Sequence, residues 1–281
     1  MNGEEDTGEE DTAVRAELIS LEPAEALAGL LDIPFPDARS LPPLWHWVYL
    51  RERPLQRDLG PDGHPVHGIP APPGPGRRRM FAGGRVTTDA PLRFGERATR
   101  TTRVSSTRTT TGRSGALTFV TTRTDIEQGD RPMIIEEQDI VYREPSASGP
   151  PAGDPPSGTD LQTQAPTTDE LTFDASSTAL FRFSALTYNA HRIHYDLPYA
   201  QEEGYAGLVV HGPLQALLMG ELLRRSGVDV SGRRFSYRLV APMIGAQRLV
   251  VHAPTGDPAT GTEVLDARGR ATARSWLDVS G

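Results

Sequence analysis

Three of the seven histidines in this 281-residue chain, His191, His194 and His211, fall close together. Two lie in SALTYNAHRIHYDLPYA, residues 184–200, with Asn189 ahead of them and Asp196 behind. At a spacing of three, His191 and His194 share a face on a helical turn. Three chemistries fit those residue types. Imidazole titrates near neutrality, so either ring suits acid–base catalysis, with Asn189 or Asp196 fixing its orientation. An H-x-x-H with Asp196 also offers three ligands to a metal such as zinc, although the spacing is not diagnostic. The plain structural alternative has one ring packed and the other bonded to a backbone carbonyl. Spacing alone does not choose.

The third histidine opens HGPLQALLMGELLRRSG. Leu214, Leu217, Leu218 and Leu222 recur at helical period, and Met219 and Leu223 widen the apolar face almost all round. Pro213 suits the first helical position, Arg224 and Arg225 suit the negative C-terminus, and Gly227 suits the stop. Gly212 then sits at the positive N-terminus, where its N–H has no intrahelical partner and nothing blocks a ligand's approach. That arrangement can hold a developing oxyanion; the alternative is a glycine that merely helps the chain turn.

These residues need a scaffold. The pattern from Val14 to Leu31 predicts helix broken near Pro23, and SLPPLWHWVYL (residues 40–50) predicts a helix capped by Ser40, burying Leu44, Trp45, Trp47, Val48 and Leu50. Residues 58–76 are rich in Gly and Pro and read as loop. From there to residue 144, runs rich in Thr, Val and Arg between turn residues predict an antiparallel sheet with its Arg on a solvated face. Residues 145–168 are Pro, Gly and Ser with almost nothing apolar, a linker. After it come a predicted strand over LTFDASSTALFRFSAL, the histidine stretch, the helix and further strands. Both blocks, 13–144 and 169–281, read helix first and strands after. The expectation is an α+β fold in which a sheet wraps a helix, with a structural duplication behind it. Residues 1–12 read as a disordered acidic tail.

Composition removes several classes. There is no cysteine, hence no disulfide, thiolate nucleophile or Cys-type zinc site. All 29 Lys+Arg residues are Arg, which excludes Schiff-base chemistry on lysine. The net charge is −8, but residues 1–12 carry six acids and no base, so the remainder is near −2 (−8 plus 6). That argues against nucleic acid as a partner. No apolar run approaches the ~20 residues of a membrane span, and the acidic N-terminus is unlike a secretory signal. The expected setting is cytoplasmic, with no membrane partner.

FSALTYNAHRIHYDLPYA…GYAGLVVHGPLQALLM resembles the motif of the MaoC-like, hot-dog-fold enoyl-thioester hydratases and dehydratases, D-x-N-P-x-H-x-D followed by VHG before the central helix. LPPLWHW, GPDGHP, RRMFAGGR and EEQDIVYRE extend the likeness over most of the chain, toward the subgroup holding mesaconyl-C4-CoA hydratases and type 2 3-hydroxyacyl-thioester dehydratases. The resemblance implies a double hot dog: two sheets each wrapping a helix, or one continuous sheet with two helices, with the first half degenerate. It implies reversible syn addition of water to an α,β-unsaturated acyl thioester, with His194 as the catalytic imidazole, Asp196 as the following acid and Gly212 as the oxyanion donor. Here the chain departs from the pattern. Asn189 stands where the family has its catalytic Asp, and His191 where it has Asn. Arg78 and Arg79 (with Arg77 and Arg85) are candidates for the substrate's phosphates, Arg192 for a substrate carboxylate, and Tyr188 and His211 for further substrate contact. No cofactor and no metal are expected. The partner is an acyl-CoA or acyl-ACP thioester, and the assembly a monomeric double hot dog or a homodimer. The alternatives are a 3-hydroxyacyl-ACP dehydratase of fatty acid or polyketide assembly and a non-catalytic acyl-thioester-binding protein.

Overall fold

The computed structural model describes residues 12–36, 39–71, 78–112, 115–143 and 170–279. The expected linker at 145–168 and nearly all of the acidic tail lie outside them. The elements run β1 (Thr12–Leu18), α1 (Glu22–Leu31), β2 (Arg78–Thr88), β3 (Arg97–Gly112), β4 (Gly115–Gln128), β5 (Arg131–Arg143), β6 (Glu170–Ala175), α2 (Ser177–Thr187), α3 (Leu197–Glu202), α4 (Gly212–Arg225), β7 (Arg233–Leu239), β8 (Gln247–His252), β9 (Thr262–Leu265) and β10 (Ala271–Val279). No helix among the described residues is long and apolar enough to cross a membrane.

The ten strands form one sheet in the order β1-β3-β4-β5-β2-β7-β10-β9-β8-β6, with every named pair antiparallel. From one edge the order is β1-β3-β4-β5-β2; from the other it is β6-β8-β9-β10-β7. The two runs match place for place, so the duplication suspected from the element order is present in the topology. This is the continuous-sheet form of the double hot dog. The halves meet where β2 pairs with β7, at Gly83 opposite Arg238 and Gly84 opposite Tyr237. Side chains are excluded there. A Cβ on Gly83 would lie 2.4 Å from the Tyr237 carbonyl oxygen, and one on Gly84 would lie 2.6 Å from the Tyr237 hydroxyl.

The helix α4 is buried along its length from Leu214 to Leu223, as its near-continuous apolar surface requires. Leu214, Leu217 and Leu218 join Ile19, Trp45, Val86, Phe235 and Leu249 in one core fed by both halves, each fully buried Leu contributing roughly 1.5–3 kcal/mol. Gly227, at φ +70°, ends the helix as expected.

Three elements differ from the sequence reading. The stretch before Pro23 is strand β1, alternating in exposure at period two and pairing along β3; only Glu22–Leu31 is helix. The expected helix at 40–50 is a single 3₁₀ turn, Trp45–Val48, flanked by Leu44 at φ +65° and Leu50 at φ +52°, neither of which can continue a right-handed helix. LTFDASSTALFRFSAL is strand only to Ala175. Ser176 then caps α2, its hydroxyl accepting the Ala179 N–H at 3.2 Å. Among the described residues the first half has no counterpart of α4, and its sheet face is left partly uncovered.

Candidate functional site

That uncovered face forms a cavity of about 260 Å³. Thr102, Thr122, Thr124, Glu136 and Gln138 from β3, β4 and β5 line its floor, and Trp47, Leu50 and Arg51 roof it. It reaches Phe183, Asn189, Pro213 and Arg79, so it opens toward the second half's motif and the start of α4. Its walls are mixed, with Ile69, Ile126, Ile140 and Phe183 beside the polar groups.

The histidines cluster at this junction. His194 is buried, and its Nδ1 lies 2.7 Å from the Val209 carbonyl oxygen. A carbonyl only accepts, so Nδ1 carries the proton and Nε2 is left as the basic nitrogen. The His194 ring stacks on His211 at 3.6 Å between centroids. His211 is fully buried, pairs through Nε2 with the Ser184 hydroxyl at 2.9 Å, and immediately precedes Gly212. The catalytic-type imidazole and the N-terminus of α4 are thus neighbours. His191 packs edge-on to His194 at 5.4 Å, and Asn189 turns its Oδ1 to the His191 backbone N–H at 3.0 Å. Burial depresses the proton affinity of all three rings: His194 to about 4, His191 to about 2 with help from the charges of His64 and His194, and His211 well below the usual value. The cluster is neutral at pH 7.

Two candidate residues are committed elsewhere. Asp196 caps α3 through the Tyr199 N–H and accepts Nε and NH2 of Arg192 at 2.9 and 2.7 Å. Arg192 also donates to the Pro61 carbonyl at 2.9 Å and lies over the Tyr199 ring at 4.2 Å. In this structure the pair clamps the loop, with the Asp196 oxygens on Arg192 and the helix cap. The metal set of H-x-x-H with Asp196 does not assemble. Tyr188 ends α2 at φ +54° and is exposed. Arg79 lies in the cavity wall with neither hydrogen bond nor ion pair to a described residue. The side chain of Arg78, and Arg77, lie outside the described residues. Arg85 is occupied by Glu137 and Asp139 across the sheet at 2.8 and 3.0 Å.

The sequence reading missed Asp62 and His64 as site residues. They sit in the Gly/Pro-rich loop, and the fold lays them against His191, with the two rings 4.0 Å apart. Ligand-type atoms of Asp62, His64 and His191 all lie within 4.8 Å of one another, a spacing that could accept a metal ion. The D-x-H in GPDGHP was the available signal.

Gly212 packs tightly: an added Cβ would lie 2.2 Å from Leu239 Cδ1 and 3.0 Å from Phe81 Cδ1. Both are side-chain ends that can yield, so Gly212→Ala is expected to cost near the low end of the ~1–3 kcal/mol typical of overpacking. Turnover should fall far more than stability, because the first turn of α4 shifts against His194. A thermal melt beside kcat checks this; equal, small changes in both would contradict it.

The continuous double hot dog thus sets a histidine against the N-terminus of its buried helix. Residues 44–245 match the model of the hydroxyacyl-thioester dehydratase type 2 family, and the chain belongs to that family. It is 47% identical over 247 residues to the mesaconyl-C(4)-CoA hydratase of Chloroflexus aurantiacus, covering 85% of each chain. It is 39% identical over 80 residues, 27% of each chain, to the mitochondrial hydroxyacyl-thioester dehydratase type 2 of Schizosaccharomyces pombe. In fold it is similar to HtdX of Mycobacterium tuberculosis (TM-score 0.67, 14% identity, 95% of this chain and 99% of that one). A MaoC-like dehydratase from Phytophthora capsici is similar to the same degree (TM-score 0.66, 15% identity, 96% of each).

Proposed function

We propose that this enzyme hydrates an α,β-unsaturated acyl-CoA whose acyl chain bears a second carboxylate, of the mesaconyl type. The observation that carries the reading is Arg79. It is a half-buried guanidinium with no hydrogen bond to a described residue, in the wall of a cavity that also reaches Asn189 and Pro213. Burial lowers its proton affinity, with Tyr142 and Asp62 opposing, so a substrate anion would be well received. The 47% identity to a mesaconyl-C(4)-CoA hydratase supports the same substrate class.

In this reading His194 Nε2 takes a proton from water as the water oxygen adds to the β-carbon. The Gly212 N–H, with the α4 dipole behind it, holds the thioester oxygen as it gains charge. Asn189 cannot take a proton, and its amide orients water or substrate. Residues 13–144 and 169–281 act as the two hot-dog halves of one cytoplasmic enzyme, a monomer or a homodimer. The first half supplies the acyl cavity and the second the motif.

The test is hydration of crotonyl-, mesaconyl- and medium-chain enoyl-CoA, followed by loss of conjugated thioester absorbance, in wild type and Arg79→Gln. The dicarboxylic substrate should react fastest. The variant should lose roughly 10²-fold in kcat/KM for it, the usual penalty for removing one partner of a buried charge pair, and little for crotonyl-CoA. Preference for the medium chain, with no discrimination by Arg79→Gln, would transfer the assignment to a fatty or carrier-protein substrate.

A further inference from the structure

We propose that Asp62 and His64, carried by the loop of the first half, form the second proton-transfer group of the site and take the role of the carboxylate that Asn189 lacks. This deepens the hydratase reading and rests on it.

The pair is built as an oriented acid–base dyad. Asp62 Oδ2 lies 2.9 Å from His64 Nδ1, and Asp62 Oδ1 accepts the His64 backbone N–H at 2.9 Å. The carboxylate holds the Nδ1 proton and leaves Nε2 as the working nitrogen. Burial pushes the Asp62 carboxyl up, but the bonds from His64 outweigh it and hold Asp62 down at about 2. Asp62 is therefore an anion at any working pH.

The loop is docked rather than merely near. Gly60 donates to the His64 carbonyl at 2.7 Å, closing the turn, and the Arg192 N–H donates to the Asp62 carbonyl at 2.9 Å. Arg192 NH1 reaches the Pro61 carbonyl at 2.9 Å. Gly63, at φ +86°, lets the turn press onto the motif, where a Cβ would lie 1.8 Å from the Ala190 carbonyl oxygen. The Arg192–Asp196 clamp thus has a purpose: it fixes the first half's dyad against the second half's histidines.

The rings run in series. His64 is 4.0 Å from His191, His191 is 5.4 Å from His194, and His194 stacks on His211 beside Gly212. The charged and titratable groups that face the dyad are His191 and His194, and at longer range Arg79 and Tyr199. In hydration an O–H bond of water breaks and its proton goes to His194 Nε2, while C–O forms at the β-carbon. The π pair moves toward the thioester oxygen on the Gly212 N–H. As that enolate collapses, the α-carbon takes a proton from His64 Nε2, with the Asp62 carboxylate held on the ring's other nitrogen. His194 is left with the proton from water and His64 one proton short. The proton then passes through His191, which accepts on one nitrogen and gives from the other, and the starting state is restored. Of the four rings, His64 is the one hydrogen-bonded to a carboxylate, and the same carboxylate lies within 4.8 Å of His191.

The experiment compares full-length wild type, Asp62→Asn, Asp62→Glu, His64→Gln and His194→Ala with the acyl-CoA that wild type hydrates best. kcat and KM are measured from about pH 5 to 9, with a thermal melt on each protein. We expect kcat of Asp62→Asn and His64→Gln to fall roughly 10²-fold with KM little changed, and Asp62→Glu to recover part of the loss. If both variants melt as wild type and keep kcat within about 2-fold and the same profile, while His194→Ala is inactive, the loop is structural and the inference fails with the hydratase reading intact. Turnover abolished by chelation and restored by zinc would also overturn it, assigning Asp62, His64 and His191 to a metal instead. A wild type inert toward every acyl-CoA would remove the reading and the inference together.

Discussion

His194→Ala is expected to lower kcat by about 10³-fold or more while the protein still folds. The ring is the only one of the cluster whose proton position is fixed by a buried carbonyl, at 2.7 Å from Val209, and whose other face stacks on the residue preceding Gly212. Burial also sets its pH behaviour. Its affinity is held near 4, so protonation of His194 should not limit the rate between the ordinary histidine value of ~6.5 and about 4. An acid limb found higher belongs to another group. Stability follows the same shift with a definite sign. The unfolded chain binds a proton here below ~6.5 that the folded protein refuses until about 4, so stability falls as pH drops through that window. Removing His194 should flatten that slope and cost roughly 1–3 kcal/mol for the lost bond and packing. Kinetics with the acyl-CoA panel and melts at pH 7 and 5 read both effects. Near-normal turnover in this variant would end the assignment of His194 as the base.

Much of this was legible in the sequence because it lives in local pattern. The apolar period of Leu214, Leu217, Leu218 and Leu222, with Pro213 and Gly227 at the ends, specified α4 without tertiary help. So did the strand texture of β2 to β5. What was misread depended on partners far along the chain. Val14 and Leu18 fit a helix as well as a strand until β3 offers its edge, with Val14 opposite Thr101. Trp45 to Leu50 carry a helix-like apolar face, but Leu44 and Leu50 adopt positive φ in a core that buries both, and tertiary packing overrides propensity there. Asp62 and His64 illustrate the deepest limit. A D-G turn in a Gly/Pro loop says nothing of its destination, and the Arg192 and Ala190 backbone that receives it lies far along the chain. Asp196 shows the complementary limit: the motif marks the position, while the contacts of its oxygens, Arg192 and a helix cap, come from the fold.

Among the described residues no central helix covers the cavity floor, and Glu136 joins that floor to the turn above it. Glu136 is buried in the cavity floor, accepting from the Trp47 indole at 2.8 Å, from Gln138 at 2.7 Å and facing His46 Nε2 at 3.3 Å. Trp47 and His46 belong to the 3₁₀ turn that replaces a central helix, so Glu136 ties that turn to β5. Glu136→Ala leaves buried His46 and half-buried Trp47 and Gln138 without their acceptor, at ~1–3 kcal/mol for a fully buried group and less for the others, and a loss of about 3 kcal/mol is expected. For a chain of this size that is roughly 6–12 °C in Tm. Glu136→Gln keeps the shape and one acceptor and should lose far less. Burial pushes this carboxyl up most strongly, yet the bonds from His46, Gln138 and Trp47 together hold it below the usual range. The sign follows: its contribution is present above the unfolded carboxylate value of ~4.3 and is lost as pH falls below it. The wild-type melt should therefore drop from pH 5 to 3 by more than that of Glu136→Gln. Equal drops in the two proteins would place the acid sensitivity elsewhere. An unchanged Tm in Glu136→Ala would show that the roof of the cavity is held by packing of Trp45 and Val48 alone.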